Sequence, residues 1–137
     1  EIDLTVDERA SGVIYALGGV SGGLTLFLDQ GQVVYEYNML IIERTQLRVA
    51  EPLTQGRHTI EVATTIERPG AAALVELTID GKSAGTLNVL RTVPAAFTAS
   101  ETFDVGVDLG SPVSLEYFDR APFPLEGAIN QLTVKLQ

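Results

Sequence analysis

Period-two alternation runs through most of this chain and limits what it can fold into more than any other property. Ile2, Leu4 and Val6 share one side of an extended segment, and Val13, Tyr15 and Leu17 share one side of the next. Leu24, Leu26 and Leu28 alternate with Thr25, Phe27 and Asp29. That run stops at Asp29-Gln30-Gly31, a turn before Val33-Val34-Tyr35-Glu36-Tyr37. His58, Ile60, Val62 and Thr64 oppose Thr59, Glu61, Ala63 and Thr65, which predicts a strand with one wet face. The sharpest local signal is Leu74 to Ile79, then Asp80-Gly81, then Lys82 onward. Asp-Gly between two alternating runs predicts a two-residue hairpin with both turn residues at positive φ. A last alternating run covers Ala128 to Leu136. No long window carries a helical stripe. Roughly ten strands at spacings of ~8–12 residues predict an all-β protein, an antiparallel β-sandwich of jelly-roll type.

The length of 137 residues fits one domain, and no repeat, low-complexity tract or linker divides it. A net charge of −9 speaks against nucleic acid, because phosphate binding needs clustered Lys and Arg. It also disfavours an anionic membrane surface, and it suits a cation or a basic partner equally. No apolar run approaches the ~20 residues of a membrane span. With no cysteine, disulfide and thiolate chemistry drop out, and the compartment stays open between periplasmic or secreted and cytoplasmic. The chain opens directly on the strand-like Glu1 to Val6 with no signal peptide in view, so we expect an excised piece of a longer protein.

Chemistry-bearing motifs are sparse. The single histidine, His58, lies in a strand pattern without a nucleophile nearby, which favours a structural hydrogen-bonding role. Gly18-Gly19-Val20-Ser21-Gly22-Gly23 resembles a phosphate loop but has neither the following Lys nor a helix, so we read it as a turn between strands. Alternate strand positions yield no pair of carboxylates of the kind glycoside hydrolysis uses. Tyr35 and Tyr37 share one face and form a candidate sugar-stacking pair, with core packing as the alternative. Residues 91–113 are too Gly/Pro-punctuated for a core element and too rich in Phe and Val for a disordered linker. Glu101, Asp104 and Asp108 in this stretch are candidate Ca2+ ligands, with backbone N–H acceptance in turns as the alternative. Phe118, Pro122, Phe123 and Pro124 are candidates for an exposed docking patch, with the rings plugging one end of the sandwich as the alternative.

An ordered set of short motifs carries a family resemblance. Gly12-Val13-Ile14, Gly18-Gly19, Gly22-Gly23-Leu24-Thr25-Leu26-Phe27 and Val34-Tyr35-Glu36-Tyr37-Asn38 come first. Glu43-Arg44-Thr45, Gly56-Arg57-His58, Asp80-Gly81-Lys82 and Arg91-Thr92-Val93-Pro94 follow. Glu101 to Gly106, Asp108, Gly110-Ser111-Pro112-Val113 and Pro122 to Gly127 complete the series, which runs from about residue 10 to the end. Together they resemble the C-terminal domain of bacterial arylsulfatases. The resemblance implies a concanavalin A-like β-sandwich beside a separate catalytic sulfatase domain in the same chain. In that family a Cys-x-Pro-x-Arg or Ser-x-Pro-x-Arg motif supplies a formylglycine next to a calcium ion. No such motif occurs here, so the fragment is expected to be non-catalytic and to carry no cofactor of its own. It departs from the family pattern at Leu24, Ile41, Val107 and Leu109. The expected role is therefore an accessory domain packed on a sulfate-ester hydrolase. The alternative is a carbohydrate-binding module that takes a glycan on Tyr35 and Tyr37, and a small stand-alone hydrolase comes third.

Overall fold

A computed structural model describes residues 1–39, 41, 43–68, 70–90 and 103–135. Those residues form the all-β antiparallel sandwich that the alternation predicts. There are ten strands among them: β1 (Ile2–Val6), β2 (Gly12–Gly19), β3 (Gly22–Asp29), β4 (Gln32–Met39), β5 (Glu43–Arg48), β6 (Gly56–Ile66), β7 (Ala73–Ile79), β8 (Lys82–Val89), β9 (Phe103–Val105) and β10 (Gly127–Leu132). One sheet has the order β10-β1-β6-β7-β8 and the other β5-β4-β3-β2-β9. A single 3-10 turn, Leu115–Arg120, breaks the pattern.

The turns follow from local chemistry. Asp80 and Gly81 have φ of 51° and 80°, and Ile79 pairs with Lys82 across them. This is the predicted hairpin. Gln30 and Gly31 repeat it at φ of 50° and 85°, with Asp29 paired to Gln32. The glycine-rich stretch is a hairpin connection too, since Gly19 pairs with Gly22. The last strand stops at Leu132, short of the expected Leu136.

The two sheets differ in what they bury. In the first sheet Ile2, Leu4, Val6, Ile60, Val75 and Leu77 point inward, while the alternate positions of β6 and β7 face solvent. In the second sheet both faces are covered. Val33, Tyr35 and Tyr37 of β4 pack inward on the first sheet. Val34 belongs to a second cluster with Val13, Ala16, Phe27, Val113, Tyr117 and Phe123 on the opposite face. Residues 106–126 lie over that face as a cover. Hence Val33 to Asn38 are all buried, a run that alternation cannot reveal.

One expectation about faces fails. Val13 does not share a side with Tyr15 and Leu17. The β2–β3 register shifts between Val13 and Tyr15, so Val13 joins the outer cluster while Ile14 joins the inner one. An extra residue in one strand flips every side chain beyond it.

Candidate functional site

The greatest concentration of polar chemistry lies between the second sheet and its cover. Alternate positions of β4 place Glu36 and Asn38 beside Val34 on the covered face. Glu36 is only 4% exposed. Its Oε2 accepts from Arg44 Nη1 at 3.0 Å, and its Oε1 accepts from Gln46 Nε2 at 3.0 Å and Ser114 Oγ at 2.9 Å. Arg44 also donates to the Val113 carbonyl at 2.7 Å. Asn38 Nδ2 donates to the Val20 carbonyl at 2.8 Å, and Ile41 N donates to Asn38 Oδ1 at 3.0 Å. A buried carboxylate persists only when several donors replace its water, and here the cover supplies part of that set.

A second polar knot lies under the 3-10 turn. The Tyr117 hydroxyl donates to Asp108 Oδ2 at 2.6 Å and lies 3.1 Å from Thr25 Oγ1. Burial, then the Asp108 carboxylate, push the Tyr117 phenol far above its ordinary 10. The Tyr117 ring meets Phe27 edge-on at 5.1 Å and stacks on Phe123 at 5.4 Å. Outside the knot, Arg48 pairs with Asp29 and Glu116, and Arg120 reaches Asp29 and lies 4.4 Å over the Phe123 ring. Backbone bonds close the far end: Val13 N donates to the Phe123 carbonyl at 2.8 Å, and Glu126 N to the Ser11 carbonyl at 2.9 Å.

The candidate cation ligands divide. Asp104 Oδ2 accepts the Leu109 amide at 2.9 Å, and Asp108 Oδ2 accepts the Val113 amide at 3.0 Å. Each carboxylate shapes the loop five residues ahead of it. Glu101 lies outside the described residues. Among the described residues no three His, Cys, Asp or Glu side chains gather closely enough to hold an ion.

Tyr35 and Tyr37 do share a face, and it is the inner one. Tyr35 is 1% exposed, and burial, the largest influence, drives its phenol far above 10. Neither ring offers a face to a sugar in this packing. The docking candidates also part company: Phe118 is 52% exposed, Pro122 and Pro124 are exposed, and Phe123 is buried in the outer cluster. Leu115, one turn before Phe118, is likewise exposed.

His58 is tied at both ring nitrogens. Nδ1 lies 2.6 Å from Asp80 Oδ2, and Nε2 lies 2.7 Å from the Thr54 carbonyl and 3.3 Å from Thr54 Oγ1. Asp80 Oδ1 accepts the Thr59 amide at 2.9 Å. The hairpin-turn residue thus reaches back onto β6. Partial burial opposes the imidazolium, yet the bonds to Asp80 and Thr54 outweigh it and raise the His58 pKa above 6.5. The Thr59 amide, then His58, hold the Asp80 carboxyl below its ordinary 3.8.

The Glu36 and Tyr117 networks were not legible beforehand. Their only sequence signal is Glu36 and Asn38 set among Val34, Tyr35 and Tyr37, polar residues where a core strand should be apolar. Fold and site together define a two-sheet sandwich in which one sheet is buried on both faces, by its partner sheet and by a polar-stitched cover. Compared with known protein families, curated proteins and solved structures, the chain matches none.

Proposed function

We propose that this chain is a non-catalytic accessory β-sandwich domain of an arylsulfatase-like sulfate-ester hydrolase, packing against the catalytic domain of that enzyme. The observation that carries the reading is the use made of its reactive groups. Glu36, Asp104, Asp108, His58 and Asp80 each hold another part of the fold in place. Carboxylates bound up in this way serve as scaffold, and a scaffold is what an accessory domain needs. The motif series from Gly12 to Gly127 names the enzyme class it would serve. Phe118 and Leu115, which stand out from the cover, are apolar groups that a neighbouring domain would bury.

Two experiments test this. The coding sequence upstream of Glu1 should encode a Cys-x-Pro-x-Arg or Ser-x-Pro-x-Arg motif, and that upstream domain, expressed separately, should form a one-to-one complex with these 137 residues. The 137-residue chain alone should release no sulfate from an aryl sulfate beyond a heat-killed control. An upstream sequence without the motif, or turnover by the chain alone, overturns the reading. Glycan binding by calorimetry in place of complex formation would favour a carbohydrate-binding module.

A further inference from the structure

The segment from Val49 to Gln55 crosses from β5 of one sheet to β6 of the other and closes one end of the sandwich. Two attachments hold its far half. Leu53 buries its side chain in the core and donates its amide to the Gly31 carbonyl at 2.8 Å. Thr54, the next residue, is fastened through its carbonyl to His58, and His58 is fastened in turn to the Asp80-Gly81 turn. The imidazole therefore bridges the crossover and the β7–β8 hairpin.

Proton count decides what this bridge can do. A neutral imidazole has one N–H, yet the shortest contact of each ring nitrogen is to an oxygen that can only accept: a carboxylate at 2.6 Å and a backbone carbonyl at 2.7 Å. Only the imidazolium satisfies both. Among the described residues the charged groups around it are few. Asp80 faces it from the hairpin turn, and Thr54 from the crossover contributes only the carbonyl and a hydroxyl. Leu4 opposite it on β1 is apolar, and Arg57 beside it turns to the outer face to pair with Asp3. When the proton leaves, Nδ1 keeps its N–H for Asp80, and Nε2 becomes an acceptor beside a carbonyl oxygen. The nearest donor is the Thr54 hydroxyl, 3.3 Å away.

We propose that His58 is a proton-operated clasp. As imidazolium it locks the crossover to the hairpin turn through the Thr54 carbonyl; when neutral it exchanges that carbonyl for the longer contact with the Thr54 hydroxyl and loosens the tie between Thr54 and the hairpin turn, while Leu53 keeps its own anchor. The clasp closes on the acidic side and releases on the alkaline side.

His58 is the only histidine in the chain, so its ring resonances can be followed by NMR without ambiguity. In a pH titration the ring should titrate above 6.5, the free-histidine value. The Gln55 and Gly81 amides should shift with the same midpoint, and His58→Gln should abolish their shift. Asp80→Asn should lower the midpoint. Thr54→Ala removes the donor that receives the neutral ring and should raise the midpoint while keeping the fold. A ring midpoint at or below 6.5 overturns the clasp, as do backbone amides that ignore the ring's titration. A Thr54→Ala midpoint that stays put or falls overturns the hydroxyl exchange.

Discussion

Tyr117→Phe removes a single oxygen from a fully buried ring, and the structure fixes what that should cost. The ring keeps its contacts with Phe27 and Phe123, so no cavity larger than the hydroxyl opens. Thr25 Oγ1 retains its own bond to the Tyr15 carbonyl at 3.1 Å. What disappears is the donor to Asp108 Oδ2 at 2.6 Å, a charge-assisted bond where water has little access. Loss of a hydrogen bond to a charged group amounts to about 1.5–3 kcal/mol, so we expect about 2 kcal/mol. For a chain of this size that lowers the melting temperature by roughly 8 °C. Urea unfolding read by circular dichroism should give the same loss with an unchanged slope, because the cover unfolds with the sheets. The phenol stays protonated far above its ordinary 10, so the loss should be equal at about pH 6 and about pH 9. A Tyr117→Phe/Asp108→Asn cycle should return a coupling of about 1–2 kcal/mol. A loss under about 0.5 kcal/mol, or a coupling near zero, would mean that the hydroxyl does not hold Asp108 and that the cover is fastened elsewhere.

Gly12→Ala should damage the fold far more than Gly56→Ala in thermal melts. Both glycines have φ near +125°, but a Cβ on Gly12 would sit 2.3 Å from the Pro124 carbonyl oxygen, and none of the protein lies within 4 Å of one on Gly56. Equal losses would show that backbone conformation alone sets the penalty. The stability difference between wild type and His58→Gln should be about 1 kcal/mol, kept small by the half-exposed Asp80. The raised histidine pKa makes that difference full below 6.5 and lost as pH rises through the folded value; the lowered Asp80 pKa makes it fade again on acidification below 3.8. Urea midpoints across pH will read it, and a difference that grows toward alkaline pH contradicts the bridge. Asp104→Ala, which frees the Leu109 amide, should lower the melting temperature equally in millimolar calcium and in excess chelator. A loss confined to calcium buffer would put a cation at this loop.

Fold class was readable because most strands of the first sheet have one wet face, so Ile60, Val75 and Leu77 alternate with exposed neighbours. The hairpin at Asp80-Gly81 was readable because few dipeptides accept two consecutive positive φ values. β4 was found as a strand, but its double burial was hidden. A sequence shows that Tyr35 and Tyr37 share a face, not whether that face looks inward or out. The bulge near Val13 left no mark, since Val, Ile and Tyr fit either side equally well. The cover escaped notice because its grip on the sheet is made of single long-range bonds, Ser114 to Glu36 and Tyr117 to Thr25, and no local pattern encodes a partner 78 or 92 residues away. His58 does hydrogen-bond at both ring nitrogens, while its tie to the hairpin turn needed coordinates.

The place of β1 in its sheet has a consequence on the ribosome. It lies between β6, which ends at Ile66, and β10, which begins at Gly127. Some sixty residues must therefore be made after β6 before the second flank of β1 has a partner. At ~5–20 residues per second, that edge stays open for roughly 3–12 s during each round of synthesis. An open edge invites pairing with any neighbouring nascent chain. Asp3 and Thr5, polar residues set into this short strand, are what a crowded polysome would meet first. Slowing elongation between Ile66 and Gly127 lengthens that window, so slow codons there should lower the yield of folded sandwich.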